Sequence, residues 1–174
     1  MNIIKFKGPN PFIVDQIQYL FDQHQFELNN LNTVFFEYDI VKKNNNLHIK
    51  SNNYESHHPC PIDFKNIFTN IHSHLNSFKF VINKVHYYPF SSYLIIKKKV
   101  KLNYIHNTIL AILVFNSEGF KKENLYKKIW PEDFNISINK LDTHLTNLKE
   151  VFRSHFNYEI ELKSQKGLIK LVIN

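Results

Sequence analysis

Apolar positions along the chain recur at two periods, and the alternation between them marks out its elements. A short apolar strand over Asn2 to Phe6 runs into the turn Gly8-Pro9-Asn10-Pro11, and helical spacing begins there. Over Pro11 to His24 the residues Phe12, Ile13, Ile17, Leu20 and Phe21 share one helical face, with Asn10 as N-cap and Pro11 at the first position, where its missing N–H costs nothing. Val34 to Ile40 and Leu47 to Lys50 predict two strands around a polar turn at Lys42 to Asn46. A loop through His57, His58, Pro59, Cys60 and Pro61 leads to a second helix over Ile62 to Leu75, whose apolar face is Phe64, Ile67, Phe68, Ile71 and Leu75. The predicted order is β-α-β-β-α, a small α/β layer.

The second half opens with β signals at Phe80 to Tyr88, Tyr93 to Ile96 and Val100 to Leu102, which predict a small antiparallel sheet. Helices follow over about Ile105 to Phe115, Lys122 to Ile129 and Ile138 to Arg153. Two terminal strands, Tyr158 to Leu162 and Leu168 to Ile173, flank Gly167 as a hairpin. Three helices and a hairpin predict a winged helix. In the last helix Ile138, Leu141, Leu145, Leu148 and Phe152 are spaced three and four apart, so they form one stripe that must pack on the other helices. Off the stripe lie Asn139, Lys140, Thr143, His144 and Asn147, hydrogen-bonding side chains of the kind that suit the edges and flanks of a DNA major groove.

Composition supports packed domains and excludes a disordered tail or a fibre. Of 174 residues 43% are hydrophobic and 15% aromatic, against three Gly and six Pro. The longest apolar run, Ile109 to Phe115, falls far short of the roughly 20 residues that span a bilayer. Lys5 and Lys7 interrupt the stretch where an export signal would need its apolar core, so a cytoplasmic location with no membrane partner is expected. With Cys60 alone there is no internal disulfide. All basic side chains but Arg153 are lysines, and with 23 Asn and one Ala this is the codon bias of an AT-rich genome.

Charge divides the chain. Residues 1–77 carry six Lys and seven acids, whereas 78–174 carry sixteen Lys or Arg and eight acids. The second half, at +8, is therefore the candidate for binding a polyanion.

From Phe80 to Ile173 the chain resembles the DNA-binding domain of OmpR/PhoB-type response regulators. Leu102-Asn103-Tyr104-Ile105-His106 is similar to that family's Leu-Thr-x-x-Glu helix opening, with His106 in place of Glu. Glu123 to Trp130 resembles its Arg-Glu-x-Leu-x-x-x-Val-Trp helix, with Trp130 as a core anchor. Leu141 to Lys149 resembles its Val-Asp-Val-His-Ile-x-x-Leu-Arg recognition helix, sharing Asp142, His144 and Leu148. Asn139, Thr146 and Asn147 stand where Arg is common, and the wing's usual Thr-x-Arg-Gly-x-Gly-Tyr is reduced to Lys163, Lys166, Gly167 and Lys170.

The resemblance implies an α+β winged helix-turn-helix over 78–174. Asn139, Lys140, Thr143, His144 and Asn147 would face double-stranded DNA, and Lys163, Lys166 and Lys170 its backbone. It implies that 1–77 is an α/β, receiver-like domain, shortened and degenerate, which pairs the protein as a homodimer. Phosphorylation chemistry is missing, because Lys7-Gly8-Pro9-Asn10 holds none of the acids that would bind Mg²⁺ beside an acceptor such as Asp39. Pro61-Ile62-Asp63-Phe64 resembles the entry to a receiver's last helix, with Cys60 in place of Lys.

His57, His58 and Cys60 offer three donors, but no second spaced pair completes a tetrahedral site, so no metal and no cofactor are expected. No Ser-His-Asp order, Gly-rich phosphate loop or carboxylate pair points to an enzyme. The expected function is a sequence-specific transcriptional regulator, phosphorylation-independent and nucleoid-associated. The rival is a protein-interaction module that binds RNA polymerase or another regulator without reading sequence. A small-ligand sensor in the first domain is a third reading.

Overall fold

The computed structural model describes residues 4–23 and 36–173. Among them it holds five α-helices and eleven strands in three sheets, divided between two compact units, Met1–Ser77 and Phe78–Asn174. No helix among the described residues is long and apolar enough to cross a membrane.

The first unit runs β1 (Ile4–Lys7), α1 (Pro11–Gln23), β2 (Phe36–Lys43), β3 (Asn46–Ser51), β4 (Tyr54–Pro59) and α2 (Phe64–Ser77). Asn2, Ile3, His24, Val34 and Phe35, expected in helix or strand, lie outside the described residues. Asn10 caps α1 by accepting from the Ile13 N–H at 3.2 Å, and Asp63 caps α2 through the Asn66 N–H at 3.1 Å. Ile4, Phe6, Tyr38, Ile40, Leu47 and Ile49 alternate with exposed or half-exposed neighbours along their strands, so one sheet face is apolar. Ile13, Ile17 and Phe21 of α1 and Ile67, Ile71 and Leu75 of α2 complete that core. The edge strand β1 is blunted by Gln18, whose side-chain amide accepts from the Phe6 N–H and donates to the Ile4 carbonyl, both at 3.2 Å.

Two expectations change here. The residues read as a loop at His57 and His58 belong to a fourth strand, which lacks the apolar alternation that would reveal it. A receiver is built from β-α repeats, which makes its strands parallel. This sheet, ordered β1-β2-β3-β4, has one parallel pairing, β1 with β2, followed by an antiparallel meander. Asp39 sits within β2 rather than at its end, 3.4 Å from Lys7 Nζ on the exposed face.

The second unit begins with a four-stranded antiparallel meander of β5 (Phe80–Ile82), β6 (Val85–Tyr88), β7 (Tyr93–Ile95) and β8 (Lys99–Lys101). The stretch Phe80 to Tyr88, expected as one strand, folds back at Asn83 and Lys84, whose φ angles of 47° and 69° make a two-residue hairpin turn. Then come α3 (Tyr104–Phe115), β9 (Phe120–Lys121), α4 (Lys122–Ile129), α5 (Ile138–Phe156), β10 (Glu161–Gln165) and β11 (Leu168–Val172). The short β9, missed in the sequence, adds to the terminal hairpin in the order β10-β11-β9.

Every residue of α3 from His106 to Val114 is buried. Its one amide side chain in this stretch has a partner on both its oxygen and its nitrogen. Tyr87 Oη donates to Asn107 Oδ1 at 2.7 Å and lies 3.0 Å from its carbonyl, while Asn107 Nδ2 donates to the Pro89 carbonyl at 3.1 Å. Asn107→Ala strips the Pro89 carbonyl of its donor inside the core. We expect it to lower the unfolding free energy by about 1–3 kcal/mol, read as an earlier urea midpoint. An unchanged midpoint would show that this network contributes nothing.

Candidate nucleic-acid interface

The geometry of α5 follows from its stripe. Leu141, Leu145, Leu148 and Phe152 are buried, as spaced, and the helix continues to Phe156 before Asn157 ends it in the left-handed region at φ 55°. Facing away from the core are Asn139, Thr143, Thr146 and Asn147, all exposed. Thr143 Oγ donates to the Asn139 carbonyl at 2.9 Å and Thr146 Oγ to the Asp142 carbonyl at 3.0 Å. Those hydroxyl protons are spent, so each threonine presents an oxygen acceptor and a methyl group outward. Thr146, not among the residues expected from the sequence, belongs to the same face.

Two of the α5 residues expected at DNA, His144 at base edges and Lys140 at phosphates, are engaged within the unit. His144, expected on the exposed side, is half-buried on the flank of the stripe, its ring 5.4 Å from Trp130 and 5.9 Å from His106 of α3. The residue sits three positions after Leu141 and one before Leu145, so the helical turn carries it toward the core rather than away. Lys140 is exposed but occupied. Its Nζ lies 4.3 Å from the Trp130 ring centroid and 3.4 Å from Asp133. Asp133 also accepts from the Tyr126 hydroxyl, and that bond, with Lys140 beside it, holds its carboxyl below the ordinary range.

Asp142 does structural work. It pairs at 2.6 Å with Lys122, whose side chain is only 16% exposed, and the Lys122 N–H donates to the Gly167 carbonyl at 2.9 Å. This residue therefore joins α4, α5 and the hairpin turn.

Lys163, Lys166 and Lys170 all lie exposed on the β10–β11 hairpin. Lys166 and Gly167 form the tip with φ of 50° and 76°, a turn in which both central residues need the left-handed region. Lys163 and Lys170 are directly opposite in register, both exposed. Like charges facing each other across a ladder repel, and Glu161, 3.3 Å from Lys163, relieves only one of them. Lys121, on β9 opposite Leu168, adds a cation to this outward face. Only the pairing of β9 reveals it.

Inside the unit, His106 Nε2 and His144 Nδ1 are both buried without a hydrogen-bond partner. Burial, and then the neighbouring His144, hold the His106 imidazole below its ordinary 6.5. Between those values the unfolded chain binds more protons than the folded one, so stability is present above about pH 6.5 and is lost as the pH falls through the depressed value. Burial acts the same way on His58 and His74. We expect unfolding free energy to drop on acidification from pH 7 toward pH 5, and His106→Gln to flatten part of that slope. A profile identical to the parent's would remove His106 from the account.

Comparison of the sequence with protein-family models and with curated proteins finds no match, so the functional reading rests on this geometry.

Proposed function

We propose that residues 78–174 form a winged helix that binds double-stranded DNA sequence-specifically and regulates transcription, without phosphorylation. The observation that carries this reading is the pairing, within one unit, of a neutral hydrogen-bonding helix face with a lysine-bearing hairpin. Asn139, Thr143, Thr146 and Asn147 of α5 supply groups for base edges, and Lys163, Lys166, Lys170 and Lys121 supply cations for phosphates. An outward asparagine pairs bidentately with adenine, and the threonine methyls suit thymine, so the preferred site is rich in A·T pairs.

The two groups fail differently. Asn147→Ala or Thr143→Ala costs roughly 1–3 kcal/mol at the specific site and little on random DNA. Lys166→Ala or Lys170→Ala weakens binding to all sequences and lowers the salt slope by about one unit each, whereas Lys140→Ala leaves the slope unchanged. If Asn139, Thr143 and Asn147 are all replaced by Ala in a folded protein and the ratio of specific to nonspecific affinity stays the same, α5 is not the reader. That outcome favours the second reading, a module that docks on RNA polymerase or another regulator. Phe134, 97% exposed in the α4–α5 connection, supports this alternative.

A homodimer through residues 1–77 suits a repeated site. Phe12 and Tyr19, seven residues apart on α1 and so on one face, are 68% and 58% exposed, an outward aromatic pair. Light scattering should give twice the chain mass for the parent and the single chain mass for the Phe12→Glu, Tyr19→Glu double variant. A monomeric parent at micromolar concentration refutes the pairing.

A further inference from the structure

We propose that His48, Glu55 and His57 form a binding site for one divalent transition-metal ion of the zinc class, on the outward face of the first sheet. This is independent of the DNA-binding reading. In register, His48 of β3 stands directly opposite His57 of β4, and Glu55 lies two residues from His57 on the same side of the strand. The two imidazole centroids are 4.3 Å apart, and Glu55 Oε1 is 3.2 Å from His57 Nε2. One donor atom from each of the three residues lies within 4.8 Å of the other two.

A tetrahedral ion with bonds of about 2.0–2.1 Å holds its ligand atoms about 3.3 Å apart. Glu55 and His57 already have that spacing, and a donor atom of His48 lies within 4.8 Å of both. The ladder between β3 and β4 fixes the three Cα positions, so the backbone needs no rearrangement to bind. Two imidazoles and one carboxylate are the donors of zinc, cobalt and nickel rather than of calcium or magnesium, which require oxygen. The Glu55 and His57 side chains are about half exposed, so a fourth position is open to water or to a donor from another molecule.

Nearby charges permit the site. Lys50, opposite Glu55 in register, has Asp39 opposite it on its other side. The other described histidines of the unit are committed elsewhere: His58 to Ser56 at 3.0 Å, His74 to the Tyr38 hydroxyl at 2.8 Å, and His72 to Asn76 at 2.9 Å. His58 points to the opposite sheet face from His57, so the adjacent pair and Cys60 do not form one donor set. The partner of His57 comes from β3, nine residues earlier in the chain.

The test uses the full chain, stripped of metal. Zinc titrated against a chromophoric chelator should bind at one ion per chain, and cobalt should show tetrahedral d–d bands without the near-ultraviolet charge transfer of a thiolate. His48→Ala and His57→Ala should each weaken zinc binding by more than about tenfold, and Glu55→Gln by about tenfold. Cys60→Ser and His155→Ala should leave it unchanged. Zinc should raise the Tm of the parent and not of the His48→Ala, His57→Ala double variant. Should that variant not fold, imidazole resonances of the intact chain decide: those of His48 and His57 shift on zinc addition. Absence of stoichiometric binding, a thiolate band, loss of binding in Cys60→Ser, or unmoved His48 and His57 resonances would each overturn the proposal.

Discussion

The second unit is organised by a helix with no wet side. From His106 to Val114, α3 is buried all round, so it must be covered on every face. The 3₁₀ turn at Pro89–Ser91, α4, α5 and β11 supply that cover. Asn107 can lie inside this sleeve only because Tyr87 and the Pro89 carbonyl meet its amide. Because α3 takes the centre, α4 and α5 are each left with one apolar face and one free face. The free face of α5, the candidate reader, thus exists because another helix occupies the core.

That free face is narrower than the polar residues of α5 suggest. Asp142 is drawn to Lys122, His144 lies against Trp130 and His106, and Lys140 lies over Trp130. Trp130 thus organises the flank of the helix. What remains outward is neutral toward the start of the helix, with Glu150 and Arg153 paired to each other at 2.7 Å further along. Lys149 is an exposed cation on the helix itself, and the hairpin adds more, with Lys163 facing Lys170. A surface divided in this way lets discrimination and electrostatic affinity reside on separate elements.

Where hydrophobic spacing carries the information, the sequence is legible: the α5 stripe, the caps of α1 and the Gly167 turn all stand as spaced. Legibility fails where structure comes from pairing between distant residues. β4, Tyr-Glu-Ser-His-His-Pro, has no alternation of its own and is a strand because β3 offers it a partner. β9 is two residues long and exists only through β11. The candidate metal donors were hidden for the same reason, since His48 and His57 belong to one site only once the register is known. His144 illustrates another limit: family likeness marked the residue, but its angular position on the helix decides which way it faces.

The two units treat surface charge in opposite ways, and this bears on where a polyanion can dock. On the outward sheet face of the first, Lys7 lies 3.1 Å from Glu37 and 3.4 Å from Asp39, and Glu55 lies 3.2 Å from His57. The Glu37 and Asp39 carboxylates, Glu37 foremost, raise the Lys7 ammonium above its ordinary value, so that cation is already satisfied within its own sheet. On the hairpin of the second unit, lysines outnumber their partners and two of them face each other. An anion from outside would relieve the mutual repulsion there, and each lysine that met a DNA phosphate would release a cation condensed on the DNA. The matched face gains little from the same anion, which would have to compete with carboxylates already in place. The uneven pairing of charge within each surface, and not the net charge of the whole chain, therefore distinguishes the hairpin from the matched sheet face.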